Sequence, residues 1–397
     1  MKVIISITLV IICLVSFQDA TFSNDSWDTP KTPKELYQFF SYRSPQITLH
    51  HAQRAALYYH KVGEKKALTQ FNRAHGDSEW SAHDGYHFVQ IVNCKTGTLE
   101  AHPMFKKYVH DKGFFFRYKD SKGKQMGLIG CNRLKNHPKG SVTVTNMFWS
   151  GVRGVSQQMM MLIPIPGTDL AVSTLYPTEK YTEVELQAKL EEWSLPEYHA
   201  LYNMQDKKQG NSDKPWSPPS TPKELYHLYE YTSPQLMLHH VQRAALYFHK
   251  VGKQQALEQF NRAYGESEWN THDFYRFLQI YNCRLGLLEA HPILKKLLNK
   301  KDFLFSYKDA EGKQLILIGC NRLNDYPRGT VTVSTMFWAG VKGVSRQMLI
   351  IVPIPGTDYQ AVTFFVTEKY TEKELQEKMG AWSLPEYNRL LVMYENN

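Results

Sequence analysis

The sequence predicts an α+β fold in two tandem copies, because a long internal repeat carries both helical and strand patterns. Segments of the first half recur 189 positions later without a gap: Thr32-Pro33-Lys34-Glu35-Leu36-Tyr37 returns as Thr221-Pro222-Lys223-Glu224-Leu225-Tyr226. This period exceeds the roughly 20–50 residues of solenoid repeats and indicates two globular units. A chain of 397 residues is also longer than one ordinary core accommodates.

The first predicted element of each copy is a long amphipathic helix. Apolar residues of the first copy recur at three- and four-residue steps, typical of a helix of about four turns: Ile47, Ala55, Tyr58, Tyr59 and Val62. Ser44-Pro45 is typical of a helix start, because Pro is favoured at the first helical position. Gly63 is expected to end this helix, and residues 64–74 are expected to form a shorter one.

A β-hairpin is predicted over residues 83–103, with its counterpart over residues 272–292. Four residues alternate with the period of two that is typical of a strand: Tyr86, Phe88, Gln90 and Val92. Residues 93–97 contain Asn and Gly, which favour a tight turn. A second strand is expected to begin at Leu99 and to end before Pro103, whose nitrogen has no hydrogen to donate.

Further strands and a final helix are predicted after the hairpin. The apolar runs that suggest strands in the first copy cover residues 114–118, 125–129, 141–149, 156–165 and 170–175. Thr182 and Glu185 have the spacing of a capping box, so a helix is predicted over residues 182–193. Each copy is therefore expected to hold a long N-terminal helix, an antiparallel sheet and a C-terminal helix.

The N-terminus has the pattern of a secretory signal peptide, predicted over residues 1–23. Lys2 precedes a largely apolar run over residues 3–15, which is shorter than the ~20 residues needed to span a bilayer. A signal anchor that stays uncleaved is the alternative. No other segment is apolar enough to span a membrane, so a secreted or periplasmic protein without a transmembrane segment is expected after cleavage.

The domain boundaries follow from the repeat and from composition. Residues 205–220 are polar and rich in Pro, Gly and Ser, which is typical of a linker. The first domain is therefore predicted over residues 32–204 and the second over residues 221–397. Both lengths are ordinary for a globular domain.

Each copy contains two cysteines, and the fifth, Cys13, lies in the apolar N-terminal run. The partners within a copy are 37 positions apart, and an exported protein favours disulfides. Bridges are therefore predicted between Cys94 and Cys131 and between Cys283 and Cys320. A metal site is the alternative, but the chain has no CxxC motif and no close Cys/His spacing.

The formal net charge of +9 comes from dispersed basic residues, often beside acids as in Glu64-Lys65-Lys66. The chain has no dense Lys/Arg stripe and no nucleic-acid-binding motif. The charge therefore indicates a solvated basic surface that favours acidic ligands or anionic surfaces. Nucleic acid is not expected as a partner.

A series of short segments, taken in chain order, resembles the single Cache domain of the second type, an extracytoplasmic small-molecule sensor module. In the first copy these are ALTQFN at 67–72, DGYHF at 84–88, AHP at 101–103, KDSKGK at 119–124, MFW at 147–149 and PGTD at 166–169. The series extends across nearly all of both copies. The resemblance implies a PAS-like antiparallel sheet with the long helix on one face. On the other face it implies a pocket for a small polar metabolite, such as an organic acid or an amino acid.

The resemblance places a pocket in each copy on residues matched by position. They are Tyr86, Phe88, His102, Phe148 and Trp149 in the first copy, and Tyr275, Phe277, His291, Phe337 and Trp338 in the second. Gln158 and Gln347 complete the two sites; they stand where the family often has Lys, so a cation suited to a carboxylate is missing. From the residues alone, core packing also explains the aromatic side chains, and each histidine can instead cap a strand end.

Neither a metal site nor a catalytic site is predicted. His50-His51 and His239-His240 are adjacent helical residues about 100° apart, so a surface or partly buried position is expected and no HExxH motif accompanies them. Gly76-Asp77-Ser78 lacks the strand–turn–helix elbow of a hydrolase nucleophile. His83 and Asp84 are strand neighbours that point to opposite faces. Neither an enzyme nor a cofactor is therefore expected.

Two functions are supported, and an unrecognised hydrolase is not. The favoured one is a secreted or periplasmic small-molecule-binding protein of sensor type, with a pocket in each copy and a membrane or secreted protein as a further partner. The alternative is an exported structural or interaction protein that keeps the fold but has filled its pockets. Differences such as Met126-Gly127 against Leu315-Ile316 are expected to narrow one pocket relative to the other.

Overall fold

The computed structural model describes residues 30–41, 44–82, 87–149, 151–206, 219–230, 233–271, 276–338 and 341–395. The predicted signal peptide and most of the predicted linker lie outside these ranges. Tyr86 and Tyr275, two of the residues assigned to the pockets, also lie outside them.

The first copy begins with helices, continues as a five-stranded sheet that short helices interrupt, and ends with two more helices. Its elements are α1 (Pro33–Ser41), α2 (Pro45–Val62), α3 (Glu64–Phe71), β1 (Gln90–Asn93), β2 (Thr98–Ala101), α4 (Phe114–Arg117), α5 (Met126–Arg133), β3 (Ser141–Phe148), β4 (Val155–Pro164), β5 (Leu170–Pro177), α6 (Glu183–Glu192) and α7 (Pro196–Asp206). A 3₁₀ turn at Lys106–Tyr108 precedes α4.

The second copy repeats this order element by element. Its elements are α8 (Pro222–Glu230), α9 (Pro234–Val251), α10 (Lys253–Phe260), β6 (Gln279–Asn282), β7 (Leu287–Ala290), α11 (Phe303–Ser306), α12 (Leu315–Arg322), β8 (Thr330–Phe337), β9 (Val344–Pro353), β10 (Tyr359–Val366), α13 (Glu372–Trp382) and α14 (Pro385–Glu395). Within the described residues, no helix has both the length and the apolar character needed to cross a membrane.

Both sheets are antiparallel and share one strand order. The order is β2-β1-β5-β4-β3 in the first copy and β7-β6-β10-β9-β8 in the second. A register shift interrupts the edge pair at the same place in each copy, after Ile91 and after Ile280. Because helices cover antiparallel sheets and do not alternate with parallel strands, the predicted α+β class is confirmed.

Each sheet has one face closed by a long helix and another covered by short ones. In the first copy, Met159, Met161 and Ile163 of β4 share a core cluster with α2. The intervening Met160 and Leu162 belong to a different cluster, together with residues of α4 and α5. Since successive strand residues point to opposite faces, α2 lies on one face and the short helices lie on the other.

The long helix α2 has the ends that the sequence predicts. The side-chain oxygen of Ser44 accepts a hydrogen bond from the Ile47 backbone N–H at 3.3 Å. Gly63 ends the helix with a φ of 81°, and its N–H donates to the Tyr59 carbonyl at 2.9 Å. A positive φ of this size favours glycine. The same kinds of cap enclose α9 in the second copy.

The predictions for the C-terminal half of the first copy are confirmed in outline. The strands β3, β4 and β5 lie within two residues of their predicted bounds. The capping box of α6 is present: Thr182 Oγ accepts from the Glu185 N–H at 3.2 Å, and Glu185 Oε2 accepts from the Thr182 N–H at 2.7 Å. Local hydrogen-bond partners a few residues apart therefore fix this helix start.

Two predicted strands are wrong. Residues 114–118 and 125–129 contribute to the helices α4 and α5 instead. Periodicity does not distinguish a short buried strand from a short buried helix, and both runs are of that kind. Gly130 shows how closely α5 packs on the sheet, because a Cβ added there would lie 2.6 Å from a side-chain carbon of Leu162.

Other elements differ from the predictions at their ends. β1 begins at Gln90 and not at residue 86, and α3 ends at Phe71 and not at residue 74. Neither α1 nor α7, nor the counterpart of either in the second copy, is predicted from the sequence pattern. α1 buries only Leu36 and Phe40, so its apolar pattern spans little more than one turn.

Both predicted disulfides are confirmed. Cys94 is bonded to Cys131 and Cys283 to Cys320, with Cα atoms 5.3 Å and 5.6 Å apart. Each bridge joins the turn after the first strand of a copy to the helix α5 or α12. These short helices are therefore fixed to the edge of the sheet that they cover.

We expect replacement of the second bridge by Cys283→Ala/Cys320→Ala to lower the free energy of unfolding by about 3 kcal/mol, because the bridge restricts the unfolded chain. Urea unfolding of the wild type and the variant measures the difference. Cys94→Ala/Cys131→Ala is the matched variant of the first copy, since its loop also spans 37 positions. Equal stability of the wild type and both variants would contradict this expectation.

Candidate ligand-binding site

A cavity of about 190 Å³ lies in the second copy, between the sheet and the short helices α11 and α12. All five strands of the sheet contribute to its wall, with Gln279, Leu288, Met336, Gln347 and Phe364 among the lining residues. Phe303 and Leu304 of α11 and Ile316 of α12 close it from the other side. The cavity therefore lies on the side of the sheet where the resemblance places a pocket.

Five of the sequence-predicted residues of the second copy line this cavity together: Phe277, His291, Phe337, Trp338 and Gln347. The ring of Phe277 stacks on Phe364 with centroids 5.6 Å apart and meets Trp338 edge-on at 5.2 Å. Phe337 is 70% exposed, so it lies at the mouth and not in the interior. The predicted Tyr275 lies outside the described residues.

The wall of the cavity is mainly aromatic. Eight lining residues carry aromatic rings: Tyr264, Phe277, Tyr281, Phe303, Tyr307, Phe337, Trp338 and Phe364. Among the described residues that line it there is no Lys, Arg, Asp or Glu. The wall therefore presents apolar surface, aromatic faces and a few uncharged polar groups.

His291 is held in one tautomer by the backbone that follows it. Its ring Nδ1 accepts hydrogen bonds from the N–H groups of Ile293 at 3.0 Å and Leu294 at 3.1 Å. Burial, with a smaller effect of the Lys295 charge, lowers the pKa of His291 to about 4. The neutral ring must therefore carry its proton on Nε2, which makes this atom a hydrogen-bond donor at neutral pH.

Gln347 lines the cavity, and its side-chain amide is held in one orientation. Its Nε2 donates to Ser345 Oγ at 3.0 Å and to the Met336 carbonyl at 3.3 Å. Because a carbonyl only accepts, this pairing fixes the orientation of the amide. Gln347 is 1% exposed, and its Oε1 is buried without a hydrogen-bond partner among the described residues.

Trp338 also lines the cavity, and its indole carries a donor. Its indole Nε1 is buried without a hydrogen-bond partner in the described part of the chain. Leaving such a group unpaired costs about 1–3 kcal/mol, and buried polar groups are normally satisfied. The hydroxyl of Tyr281, by contrast, donates to Gln279 Oε1 at 2.6 Å. Trp338 and Gln347 both line the cavity, and each has one polar atom without a partner among the described residues.

The first copy repeats the polar arrangement. The Nδ1 atom of His102 accepts from the N–H groups of Met104 at 3.0 Å and Phe105 at 3.1 Å, and burial lowers the pKa of His102 to about 3. Gln158 donates to Ser156 Oγ at 2.9 Å, and its Oε1 has no partner among the described residues. The backbone cap considered in the sequence analysis is therefore present in both copies.

The predicted aromatic residues of the first copy occupy different environments. Phe88 is buried, with its ring centroid 5.6 Å from that of His102. Trp149 is half-buried and contacts the rings of Phe40 and Phe88. Phe148 is 67% exposed, like its counterpart Phe337, and Tyr86 lies outside the described residues. Because Phe148 and Phe337 are exposed, they are better placed to line the opening of a pocket than to contact a molecule enclosed in it.

The residues between the sheet and the short helices differ in size between the two copies. Of the two positions concerned, the sequence comparison predicts only one, Gly127 against Ile316. A Cβ added to Gly127 would clash with Phe115, so the larger Phe115 occupies space that the second copy gives to Leu304 and Ile316. Residues such as Tyr281, Met336 and Phe364 are absent from the sequence-predicted site. Their strand alternation marks them as candidates only once the strand order and the register are known.

The adjacent histidines of the long helices contact backbone carbonyls of distant segments. His50 and His51 are buried, which corrects the expectation of a surface or partly buried position. The Nε2 of His50 lies 2.6 Å from the Trp193 carbonyl, and that of His51 lies 3.5 Å from the Trp80 carbonyl. The second copy has the same pairings. Within the described residues, no cluster of three His, Cys, Asp or Glu side chains could hold a metal ion.

Comparison with protein-family models finds no match, and comparison with curated proteins finds none either. Among solved structures, a chain described as the periplasmic sensor domain of a chemotaxis protein is similar, with a TM-score of 0.25 and 10% sequence identity. The alignment covers 37% of this chain and 93% of that chain.

We expect His291 to make the protein less stable in acid. Its pKa lies below the ordinary value of 6.5, so between pH 6.5 and about 4 the unfolded state binds more protons than the folded state. The free energy of unfolding therefore falls as the pH is lowered through this window. Over two pH units the contribution of one such histidine is about 2 kcal/mol.

His291→Asn tests this expectation, because an Asn oxygen can accept from the same two backbone N–H groups but does not titrate. Urea unfolding at pH 7 and pH 4.5 should show a smaller loss of stability in the variant than in the wild type. Titrating carboxylates affect both proteins alike. An identical loss in the two proteins would contradict the assigned role of His291.

Proposed function

We propose that the chain is an extracytoplasmic small-molecule-binding protein of sensor type, built from two Cache-like domains. The observation that carries the proposal is the cavity of the second copy. Five residues that the sequence predicts as pocket residues line it together. Small-molecule sites are usually cavities lined mainly by apolar and aromatic side chains, with a few polar groups that point to the ligand.

The chemistry of the polar groups supports recognition over catalysis. His291 is uncharged at neutral pH, and its Nδ1 is already occupied by two backbone N–H groups. Such a ring is a poor general base, because catalytic bases work best with a pKa near the operating pH. It is a good fixed hydrogen-bond donor.

The proposal also includes an oxidising compartment outside the cytoplasm. One disulfide in each copy supports this location, since such bridges persist where the surroundings are oxidising. The expected signal peptide agrees with it. We propose that a membrane or secreted protein reads the bound state.

We expect at least one compound in a panel of amino acids, small carboxylates, amines and neutral aromatic amides to raise the melting temperature of the full chain. A hundredfold excess over the dissociation constant adds about 2.7 kcal/mol, or roughly 5–10 °C for a domain of this size. Thermal-shift measurements on the purified exported protein provide the readout.

Ile316→Phe is the diagnostic variant, since it fills the cavity while keeping every polar group. This variant should fold like the wild type, but the compound should no longer raise its melting temperature. Ile318→Phe is the matched control, because Ile318 lies on the same helix, is 42% exposed and does not line the cavity. If no compound separates Ile316→Phe from the control, the alternative of an exported interaction protein with filled pockets is supported instead.

A further inference from the structure

The charge of the second-copy cavity limits what it can bind. The described lining residues include no ionised side chain, and His291 is neutral above its lowered pKa. Lys295 is the cation that acts on His291; its ammonium hydrogen-bonds to the Asn261 carbonyl, and it is not among the lining residues of the cavity. A carboxylate or an ammonium group buried here would lose its hydration without gaining a counter-charge from the described lining residues.

The polar atoms of three lining residues define what a ligand must offer. His291 Nε2 and Trp338 Nε1 are donors, so a bound molecule needs an acceptor such as a carbonyl oxygen or a ring nitrogen. Gln347 Oε1 is an acceptor, so the same molecule needs an N–H or O–H group. A quaternary ammonium ion is attracted by aromatic faces, but it offers neither group.

The volume and the shape of the cavity favour one planar ring. A cavity of 150 Å³ in another protein is known to hold benzene, and the present one measures about 190 Å³. Drug-sized ligands occupy roughly 300–1,000 Å³, which is larger. The stacked rings of Phe277 and Phe364, with Trp338 edge-on to Phe277, supply flat apolar surfaces that suit an aromatic molecule.

We propose that this cavity binds an uncharged, single-ring aromatic or heteroaromatic molecule that carries both a hydrogen-bond acceptor and a hydrogen-bond donor. An aromatic carboxamide is the simplest member of this class. The inference rests on the proposed function, since it names the ligand class of the same site. It replaces the organic acid or amino acid that the resemblance implies.

Matched one-ring compounds test the charge requirement. Titration calorimetry of the full chain at pH 7 compares benzamide with benzoate and benzylamine, and nicotinamide with nicotinate. We expect each amide to bind at least tenfold more tightly than its charged relatives. Ile316→Phe should abolish the binding, and Ile318→Phe should preserve it.

A second comparison tests the role of Gln347. Acetophenone has the shape of benzamide but a methyl group in place of the amide NH₂, so it keeps the acceptor and lacks the donor. The wild type should prefer benzamide by roughly fivefold, the effect of one hydrogen bond. Gln347→Met should erase this preference, whereas His291→Asn should weaken both compounds alike.

The outcomes distinguish the ligand class, the role of Gln347 and the proposed function from one another. If benzoate or benzylamine binds as tightly as benzamide, in a way that Ile316→Phe abolishes, the uncharged class is wrong and the proposed function stands. If Gln347→Met leaves the preference for benzamide unchanged, the assignment of Gln347 is wrong. If no compound of this set or of the wider panel distinguishes Ile316→Phe from Ile318→Phe, the proposed function fails as well.

Discussion

The alternation of side chains along the inner strands is the constraint on which the rest of each copy depends. In β4, Met159 and Met161 are buried against the long helix, while Met160 and Leu162 face the short helices. A long helix can close a sheet face completely, because it supplies a continuous apolar stripe. Helices of four and eight residues cannot do this, so the second face is where the cavity of the second copy remains.

The polar groups of the site depend on backbone geometry more than on charge. The chain turns after the second strand of each copy so that two successive N–H groups point to a histidine Nδ1. That contact determines the tautomer, and burial keeps the ring neutral. Gln158 and Gln347 are oriented in the same way, by partners on neighbouring strand residues. The described residues of both copies therefore hold the same histidine and glutamine in the same hydrogen-bonding arrangement.

Sequence reasoning succeeds where the determining contacts are local. The caps of α2, the capping box of α6 and the apolar runs of β3 to β5 all involve residues a few positions apart. It fails for α4 and α5, whose short apolar runs take their conformation from distant parts of the sheet. The same holds for the site: the matched positions found Phe277, His291 and Gln347, but Tyr281 and Phe364 join them only through strand register. The pairing of the polar groups also depends on packing between distant segments, which a sequence pattern does not predict.

The differences between the two walls have a consequence for how such a protein can diversify. Positions that set volume vary between the copies, as Phe115 and Gly127 against Leu304 and Ile316 show, while the histidine and glutamine at the sheet are the same in both. A duplicated chain of this kind can change the size of one site by paired substitutions of large and small residues. The histidine and the glutamine keep their hydrogen bonds through such a change, and the other copy keeps the original wall.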